Sequence, residues 1–414
     1  MLKRLTTTLA ALAALAAGTA LAIHLAGIPR YVPAHLDLQV RVTAERVARG
    51  RLWANLLCIE CHLSPETGRL TGRHVKELPT EFGEIYSRNI TRDAQHGVGS
   101  YTDGELAVLL RTGVTPDGRY LPPYMEKLNH LSDEDLASVI AFLRSDDPLV
   151  KADPTVSLES NPSLLVKLLS RTVFKPFPMP DHPIEIPPAT DPVARGAYWV
   201  HTVDCYTCHS ADFKTMDNQE PTRSEGYMGG GNLLTDAGGM PVYAPNLTMD
   251  EATGIGTWSQ AQFIRAVREG FSPDGHVLVS PMSRYAVLPE VEVAAIFAYL
   301  KTVPVIRKAR PPRHVYSVPS ATASRGQTTF YTYGCVACHG PTGKSTFDLT
   351  RTNTHYPSDA DLRRWILNAS SIKPDTKMPT WQGILPEADV APLMEHVRDL
   401  SARAGDPRPQ VGLP

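Results

Sequence analysis

Residues 203–210 read VDCYTCHS, a stretch in which two cysteines and a histidine fall within five consecutive positions. The same pattern, Cys-x-x-Cys-His, recurs as CIECH at 58–62 and as CVACH at 335–339. These three pentapeptides account for all six cysteines of the chain. A pattern that is used three times, with every cysteine inside it, indicates three copies of one local structure.

Four kinds of chemistry use closely spaced cysteines. Three disulfides would suit an exported chain, but they need no histidine after each pair. A thioredoxin-type pair occurs once per domain and also ignores the histidine, while zinc sites combine two cysteine pairs, or one pair with distant histidines. Covalent attachment of a c-type haem is the only one of the four that requires all five positions.

In the haem interpretation, each cysteine pair forms thioether bonds to the two vinyl edges of a porphyrin, and the adjacent histidine binds the iron as proximal ligand. The sequence therefore predicts three covalently bound haem c groups. The predicted attachment residues are Cys58, Cys61, Cys205, Cys208, Cys335 and Cys338, and the predicted proximal ligands are His62, His209 and His339.

Length and composition fit a folded chain of several domains. The 414 residues allow roughly two to four domains of ordinary size, and 42% hydrophobic with 20% charged residues is typical of globular proteins. The formal net charge is −2, so no nucleic-acid partner is expected.

The amino terminus carries an uncharged run over residues 5–28, which follows Lys3 and Arg4 and ends at Pro29. As a helix, this run is long enough to cross ~30 Å of hydrocarbon. A cleavable secretory signal is the competing interpretation, because small residues would permit cleavage in several places. The length favours a retained transmembrane helix, and either interpretation exports everything after Arg30.

Each pentapeptide follows a helical pattern that contains an Arg-Gly pair, with the glycines at Gly50, Gly196 and Gly326. Glycine inside a helix costs about 1 kcal/mol relative to alanine, so we expect a close contact with another helix at these positions. Thr43 and Asp191 are the predicted N-caps of the first two of these helices.

Two further helical segments follow each pentapeptide in the same order, and no strong alternating pattern predicts a sheet. The predicted fold class is therefore mainly α, with three tandem cytochrome c-type domains and an N-terminal transmembrane helix. The predicted boundaries are 1–30 for the anchor or signal, 31–150 for domain 1, 151–190 for a linker, 191–310 for domain 2 and 311–414 for domain 3. The linker contains one helical patch, PSLLVKLLSRTVF at 162–174, which either packs between domains or contacts a partner or the membrane.

Domains 1 and 2 share a loop pattern, YSRNIT at 86–91 and YAPNLT at 243–248. The interval from Asn89 to Met125 equals that from Asn246 to Met282, which indicates a detailed duplication. Asn-x-Thr is also a glycosylation pattern. In a haem protein, we instead expect a loop that forms hydrogen bonds near the porphyrin edge.

A second axial ligand would let each iron exchange one electron with little rearrangement, and a methionine thioether raises the reduction potential relative to a second histidine. Met125 and Met282 each follow a Pro-Asp-Gly sequence by the same interval, and Met378 follows a similar loop in domain 3. These three are the predicted sixth ligands, which would leave no open iron for oxygen or peroxide chemistry. The alternatives are Met228, Met240, Met249 and Met394, or, as second histidines, His96, His276 and His355.

The sequence resembles the triheme cytochrome c subunits of membrane-bound, periplasmic alcohol and gluconate dehydrogenases. The stretches that carry the resemblance are 195–210 and 243–275, with their counterparts in domain 1. The resemblance implies that the chain passes single electrons from a dehydrogenase subunit toward quinone or a terminal acceptor.

We therefore expect an electron-transfer protein or subunit rather than a catalytic one, tethered to the bacterial cytoplasmic membrane by a single pass with its domains in the periplasm. The expected partners are the membrane and redox proteins: a dehydrogenase subunit, a quinol-oxidising complex or a terminal oxidase. The alternative is a haem-based oxidoreductase with one open iron site, for example in thiosulfate or peroxide chemistry.

Overall fold

The computed structural model describes residues 2–76, 78–236, 240–279, 281–309, 316–345, 347–373 and 376–408. The chain forms two compact units, Met1–Ile186 and Pro187–Pro414. The described residues are mainly helical, which confirms the mainly α part of the predicted fold class. The strands among them form two short antiparallel ribbons and no closed sheet.

The first unit begins with a long apolar helix and contains the first pentapeptide. Its helices are α1 (Leu2–Ala26), α2 (Ala44–Leu57), α3 (Ile59–His62), α4 (Asp103–Thr112), α5 (Asp133–Arg144) and α6 (Leu164–Thr172). Its ribbon pairs β1 (Gly83–Glu84) with β2 (Asn161–Pro162), and a 3₁₀ turn at Thr80–Phe82 precedes β1.

Helix α1 satisfies the length and composition requirements of a membrane span. Its segment Thr8–Ala26 has a mean hydropathy of 2.0, and none of it is buried within the protein. A signal sequence meets the same requirements.

The second unit contains the other two pentapeptides. Its helices are α7 (Pro192–Thr202), α8 (Cys205–His209), α9 (Gln260–Glu269), α10 (Glu290–Leu300), α11 (Arg325–Thr332), α12 (Cys335–His339), α13 (Thr352–His355), α14 (Asp359–Asn368) and α15 (Glu387–Arg403). Its ribbon pairs β3 (Leu233–Thr235) with β4 (Pro241–Tyr243), and its 3₁₀ turns are Phe213–Thr215, Pro221–Arg223 and Ala369–Ser371.

The helix before each pentapeptide packs against a later helix of the same unit: α2 on α5, α7 on α10 and α11 on α15. At each predicted glycine, a Cβ atom would overlap a backbone carbonyl of the partner helix. The overlapping pairs are Gly50 with Ser138, Gly196 with Ala295 and Gly326 with Pro392. The predicted close contact at these glycines is confirmed.

The arginine before each glycine forms an ion pair with a carboxylate of the same partner helix. The pairs are Arg49–Asp135, Arg195–Glu292 and Arg325–Asp389, each with a closest N···O distance of 2.6 Å. The glycine thus sets the distance between the two helices, while the arginine sets how one is positioned along the other.

The predicted N-caps are also confirmed. The side chain of Thr43 accepts a hydrogen bond from the backbone N–H of Arg46 at 3.2 Å, and that of Asp191 accepts one from Ala194 at 3.0 Å. Each cap satisfies one of the N–H groups that have no partner inside a helix.

We expect Gly326→Ala to lower the free energy of unfolding by about 1–3 kcal/mol, because the added methyl group must push α11 away from the Pro392 carbonyl. Thr328→Ala, at an exposed position of the same helix, is the matched control and should change stability by less than about 0.5 kcal/mol. Denaturant unfolding measures both. Equal effects of the two substitutions would contradict the close-contact role.

Candidate functional site

Each pentapeptide forms a short helix directly after a longer one. Helix α3 follows α2 at Cys58, while α8 and α12 begin after a residue in the left-handed region, Asp204 with φ 59° and Gly334 with φ 71°. In such a helix, residues three and four positions apart lie on one face. The two cysteines and the histidine of each pentapeptide therefore share a face.

The three pentapeptide histidines are held by the same kind of hydrogen bond. In each ring, Nδ1 lies within hydrogen-bond distance of a backbone carbonyl oxygen. The contacts are His62 to Arg88 at 2.7 Å, His209 to Pro245 at 2.9 Å and His339 to Phe347 at 2.6 Å. Since a carbonyl oxygen only accepts, Nδ1 carries the proton in all three rings.

This hydrogen bond prepares each ring to bind a metal. Burial lowers the pKa of His62, His209 and His339 below the usual value, which favours neutral imidazoles. Their Nε2 atoms form no hydrogen bond with other described residues. A neutral imidazole that is oriented through Nδ1 and available at Nε2 is the form in which histidine ligates metals.

All six cysteines lie in the described part of the chain, and each is a thiol rather than half of a disulfide. Burial raises the pKa of Cys58, Cys205 and Cys335 to about 12, whereas a thioredoxin-type pair needs a lowered value. The described residues contain no group of three or more His, Cys, Asp or Glu suited to a metal ion. The disulfide, thioredoxin and zinc interpretations thus gain no support from these residues.

A buried asparagine fixes the loop whose carbonyl holds His62. Asn89 is 2% exposed, and its Nδ2 donates to the carbonyl oxygens of Asp153 and Thr155, both at 2.9 Å. Its Oδ1 accepts from the backbone N–H of Thr91 at 2.9 Å. Because Arg88 directly precedes this asparagine, the same hydrogen bonds hold the carbonyl that orients the histidine.

The second Asn-x-Thr loop repeats this construction. Asn246 donates to the carbonyl oxygen of Ile306 at 2.6 Å and accepts from the N–H of Thr248 at 2.8 Å. It directly follows Pro245, the acceptor for His209. The expected hydrogen-bonding role of these loops is therefore supported over glycosylation, because the amide nitrogens of both asparagines are buried and already bonded.

The predicted ligands Met125 and Met282 are half-buried and lie in equivalent turns. The N–H of Met125 donates to the carbonyl oxygen of Pro122, and that of Met282 donates to Val279, both at 3.0 Å. The charge of Glu126, next to Met125, also contributes to the raised pKa of the Cys58 thiol. The loop of Met125 therefore lies near its pentapeptide, and the loop of Met282 has the same local geometry.

Met378, the predicted ligand of domain 3, packs against the hydrophobic cluster that also contacts Cys335. The structure thus brings this methionine and its pentapeptide to one cluster. Two of the alternative methionines lie deeper in the protein: Met228 is 0% and Met394 8% exposed. Their burial fits a packing role.

The alternative histidine ligands lie at or near the surface. His276 and His355 are exposed, and His96 is half-buried. Nδ1 of His276 lies 3.0 Å from a carboxylate oxygen of Asp274. His96 and His276 lie in loops, whereas His355 is the last residue of α13.

A lysine holds the Met125 loop of the first unit together. Nζ of Lys127 donates to the carbonyl oxygen of Pro122 at 2.8 Å and also to that of Met125. The two acceptors are the ends of the turn that carries the predicted ligand. Lys127 therefore acts within its own loop.

Arg284 occupies the corresponding position in the second unit, two residues after Met282, and its hydrogen bonds differ. Its Nε donates to the carbonyl oxygen of Arg268 at 2.7 Å, and its guanidinium also donates to the carbonyl oxygen of Met378. One side chain thus joins the loops of two predicted iron ligands. No pattern in the sequence predicts this link.

Aromatic packing in the second unit joins the segment after α9 to the region of the third pentapeptide. Phe271 follows α9 and packs edge-to-face on Trp381, with ring centroids 5.4 Å apart. Tyr333, two residues before Cys335, packs on the same indole at 6.0 Å. Phe271 and Trp381 belong to the hydrophobic cluster against which Tyr333 and Met378 both pack.

No protein-family model matches the chain. It is 29% identical to the fructose dehydrogenase cytochrome subunit of Gluconobacter japonicus over 73% of this chain and 64% of that protein. It is 28% identical to the cytochrome c subunit of the quinone-dependent alcohol dehydrogenase of Gluconobacter oxydans, over 71% of this chain and 63% of the relative. The chain thus spans slightly less than two thirds of both relatives.

The chain is a relative of the dehydrogenase cytochrome c subunits. This confirms the predicted resemblance, and these relatives are named as cytochrome subunits rather than catalytic ones. A diheme cytochrome c of Cereibacter sphaeroides is 28% identical over 67% of this chain and 93% of its own length. That match leaves a third of this cytochrome uncovered.

The pentapeptides fit a covalent haem c. Each offers two thiols and one histidine on a single helical face, and each histidine is oriented by a carbonyl with Nε2 available. Sequence reasoning found these side chains but missed the carbonyl acceptors. Arg88 and Pro245 could have been identified as acceptors by their position directly before the asparagine of each Asn-x-Thr loop. No comparable sequence feature marks Phe347.

If Met282 is the sixth ligand of a haem held by Cys205, Cys208 and His209, Met282→Ala should open that iron without releasing the haem, because these three residues remain. We expect the reduced variant to bind up to one carbon monoxide per chain. Met249→Ala removes a half-buried methionine of the same unit and should bind none. Unchanged ligand reactivity in Met282→Ala would rule out this methionine as the sixth ligand.

Arg284→Ala should loosen the Met378 loop, because it removes a charged hydrogen bond to that loop. Such a bond is worth about 1.5–3 kcal/mol, so carbon monoxide should bind one iron at least about tenfold faster in the variant. The effect should vanish in a Met378→Ala background, where that iron is already open. If the effect persists in Met378→Ala but vanishes in a Met282→Ala background, Arg284 acts on the Met282 loop and the assignment to the Met378 loop is wrong.

Proposed function

We propose that the chain is a triheme c-type cytochrome that carries single electrons for a membrane-bound dehydrogenase. The observation that supports this best is one arrangement found three times: two cysteine thiols on a short helix beside a histidine that is held through Nδ1 by a backbone carbonyl. A bound haem c supplies reversible one-electron exchange at its iron.

Each pentapeptide would hold one haem through two thioethers and one Nε2 ligand. The attachment pairs are Cys58 with Cys61, Cys205 with Cys208 and Cys335 with Cys338, and the proximal ligands are His62, His209 and His339. The proposed sixth ligands are Met125, Met282 and Met378. Protein ligands on both sides of each iron would exclude substrate, which favours electron transfer over an open-iron oxidoreductase.

The haem domains are proposed as 31–150, 191–310 and 311–414. Three helix pairs with the same glycine and arginine contacts support this division, one in the first unit and two in the second. The diheme relative matches only two thirds of the chain, which leaves room for a third domain.

Electrons would pass between the second and third haems inside the second unit. Phe271 of the proposed second domain and Tyr333, two residues before Cys335, both contact the indole of Trp381, in a hydrophobic cluster that also packs against Cys335. Arg284 links the two methionine loops beside this cluster. Close packing of this kind shortens the path between redox centres and keeps water out of it.

The proposed location is the periplasmic face of the cytoplasmic membrane, with α1 as a retained single-pass anchor. The apolar and fully unburied segment Thr8–Ala26 supports the anchor. The names of the relatives support a dehydrogenase subunit as electron donor. A quinol-oxidising complex or a terminal oxidase is the proposed acceptor type.

Reductive titration of the purified chain tests this function. We expect it to take up three electrons per chain and, when reduced, to bind no carbon monoxide rapidly. An uptake of two electrons would contradict the triheme assignment. Rapid carbon monoxide binding at one iron of the unsubstituted protein would favour the haem-based oxidoreductase instead.

A further inference from the structure

Helix α6 presents an apolar face that no described residue of the first unit covers. Val166, Lys167 and Ser170 are buried against the unit. On the opposite side, Leu164, Leu165 and Leu168 are 41–45% exposed. Three exposed leucines within two turns of one helix form a continuous apolar patch, which is unusual on a surface that faces water.

This patch lies beside the exit end of α1. Nζ of Lys167 is 3.4 Å from Nδ1 of His24, and the guanidinium of Arg171 donates to the carbonyl oxygen of Gly27 at 2.8 Å. Both contacts are made from α6 to the last turn of α1 or to the residue just after it. Helix α6 is therefore held where α1 would leave the hydrocarbon.

Helix α6 is also fixed to the unit at both of its ends. At its start, Ser163 donates from Oγ to the carbonyl oxygen of Glu81 at 2.6 Å and from its N–H to Phe82 at 2.9 Å. After its end, the carbonyl oxygen of Lys175 accepts from the Tyr120 hydroxyl at 3.0 Å. The leucine face is thus presented by a fixed helix and not by a loose linker.

The chain after α1 is tied to the same part of the unit. The backbone N–H of Tyr31 donates to the carbonyl oxygen of Gly118 at 2.8 Å, and Arg30 forms an ion pair with Asp117 at 3.4 Å. The rings of Tyr31 and Tyr120 pack edge-to-face at 5.7 Å. These contacts fix the exit end of α1 and α6 to one surface.

We propose that α6 is an interfacial helix that lies in the outer headgroup layer of the membrane that α1 crosses. Its leucines would enter the boundary with the acyl chains, while the exposed Lys175 just beyond the helix would lie among lipid phosphates, and α6 contains no acidic residue. A lipid occupant is favoured over a protein partner because the patch continues from the apolar, unburied surface of α1. This inference rests on the retained anchor of the proposed function.

The test measures how readily a thiol on this face reacts with a membrane-impermeant maleimide. Leu168→Cys and Leu165→Cys in the full-length chain place the thiol on the patch, and Val156→Cys, at a residue 67% exposed outside α6, is the matched control. Each is reconstituted in vesicles of phosphatidylethanolamine and phosphatidylglycerol. The unsubstituted chain gives the background.

We expect both α6 variants to react at least tenfold more slowly than Val156→Cys in vesicles and at a similar rate after detergent is added. Equal rates in intact vesicles would overturn the proposal. So would protection in native membranes but not in vesicles, which would indicate a protein partner on this face.

Vesicle flotation and the mass of the mature chain separate the two proposals. A chain that floats with the vesicles, retains residues 2–26 and yet reacts quickly at position 168 overturns the interfacial helix alone. A mature chain that lacks these residues and does not float overturns the anchor, and the interfacial helix with it.

Discussion

The hydrogen bond from Nδ1 of each pentapeptide histidine to a backbone carbonyl is the constraint on which the site depends. It fixes the tautomer and the rotation of the ring, so that Nε2 is the nitrogen that could ligate a metal. This hydrogen bond forms only if the loop that supplies the carbonyl and the helix that leads into the pentapeptide both keep their positions. The buried asparagines hold the carbonyl in the first two domains, and the glycine-bearing helix pairs hold the helix that leads into each pentapeptide.

The predicted domains 1 and 2 differ in the hydrogen bonds made by the residue two positions after the methionine. Lys127 and Arg284 occupy the same position after their methionines, and both donate to backbone carbonyls. The lysine bonds within its own loop, whereas the longer, forked guanidinium reaches the loop of Met378. Since arginine offers several donors in one plane, it can bond two carbonyls that belong to different segments. The change ties the loop of Met282 to the loop of Met378 within the second unit.

The sequence was sufficient to predict those features of the structure that require a particular type of side chain. The pentapeptides, Gly50, Gly196 and Gly326, and the N-caps Thr43 and Asp191 all have a residue type that the local geometry demands, so they could be predicted. The carbonyls of Arg88, Pro245 and Phe347 could not, because any residue supplies a carbonyl. The link from Arg284 to Met378 depends on tertiary packing, and the residues between them carry no pattern that predicts it.

Locating the haems on the protein tests most directly whether each of the three pentapeptides binds a haem c covalently. Proteolysis of the mature chain followed by mass spectrometry should give three haem-bearing peptides, one for each pentapeptide at 58–62, 205–209 and 335–339, with both cysteines of each in thioether linkage. A pentapeptide recovered with free thiols or a disulfide would show that the same histidine geometry exists without a haem, and it would contradict the account.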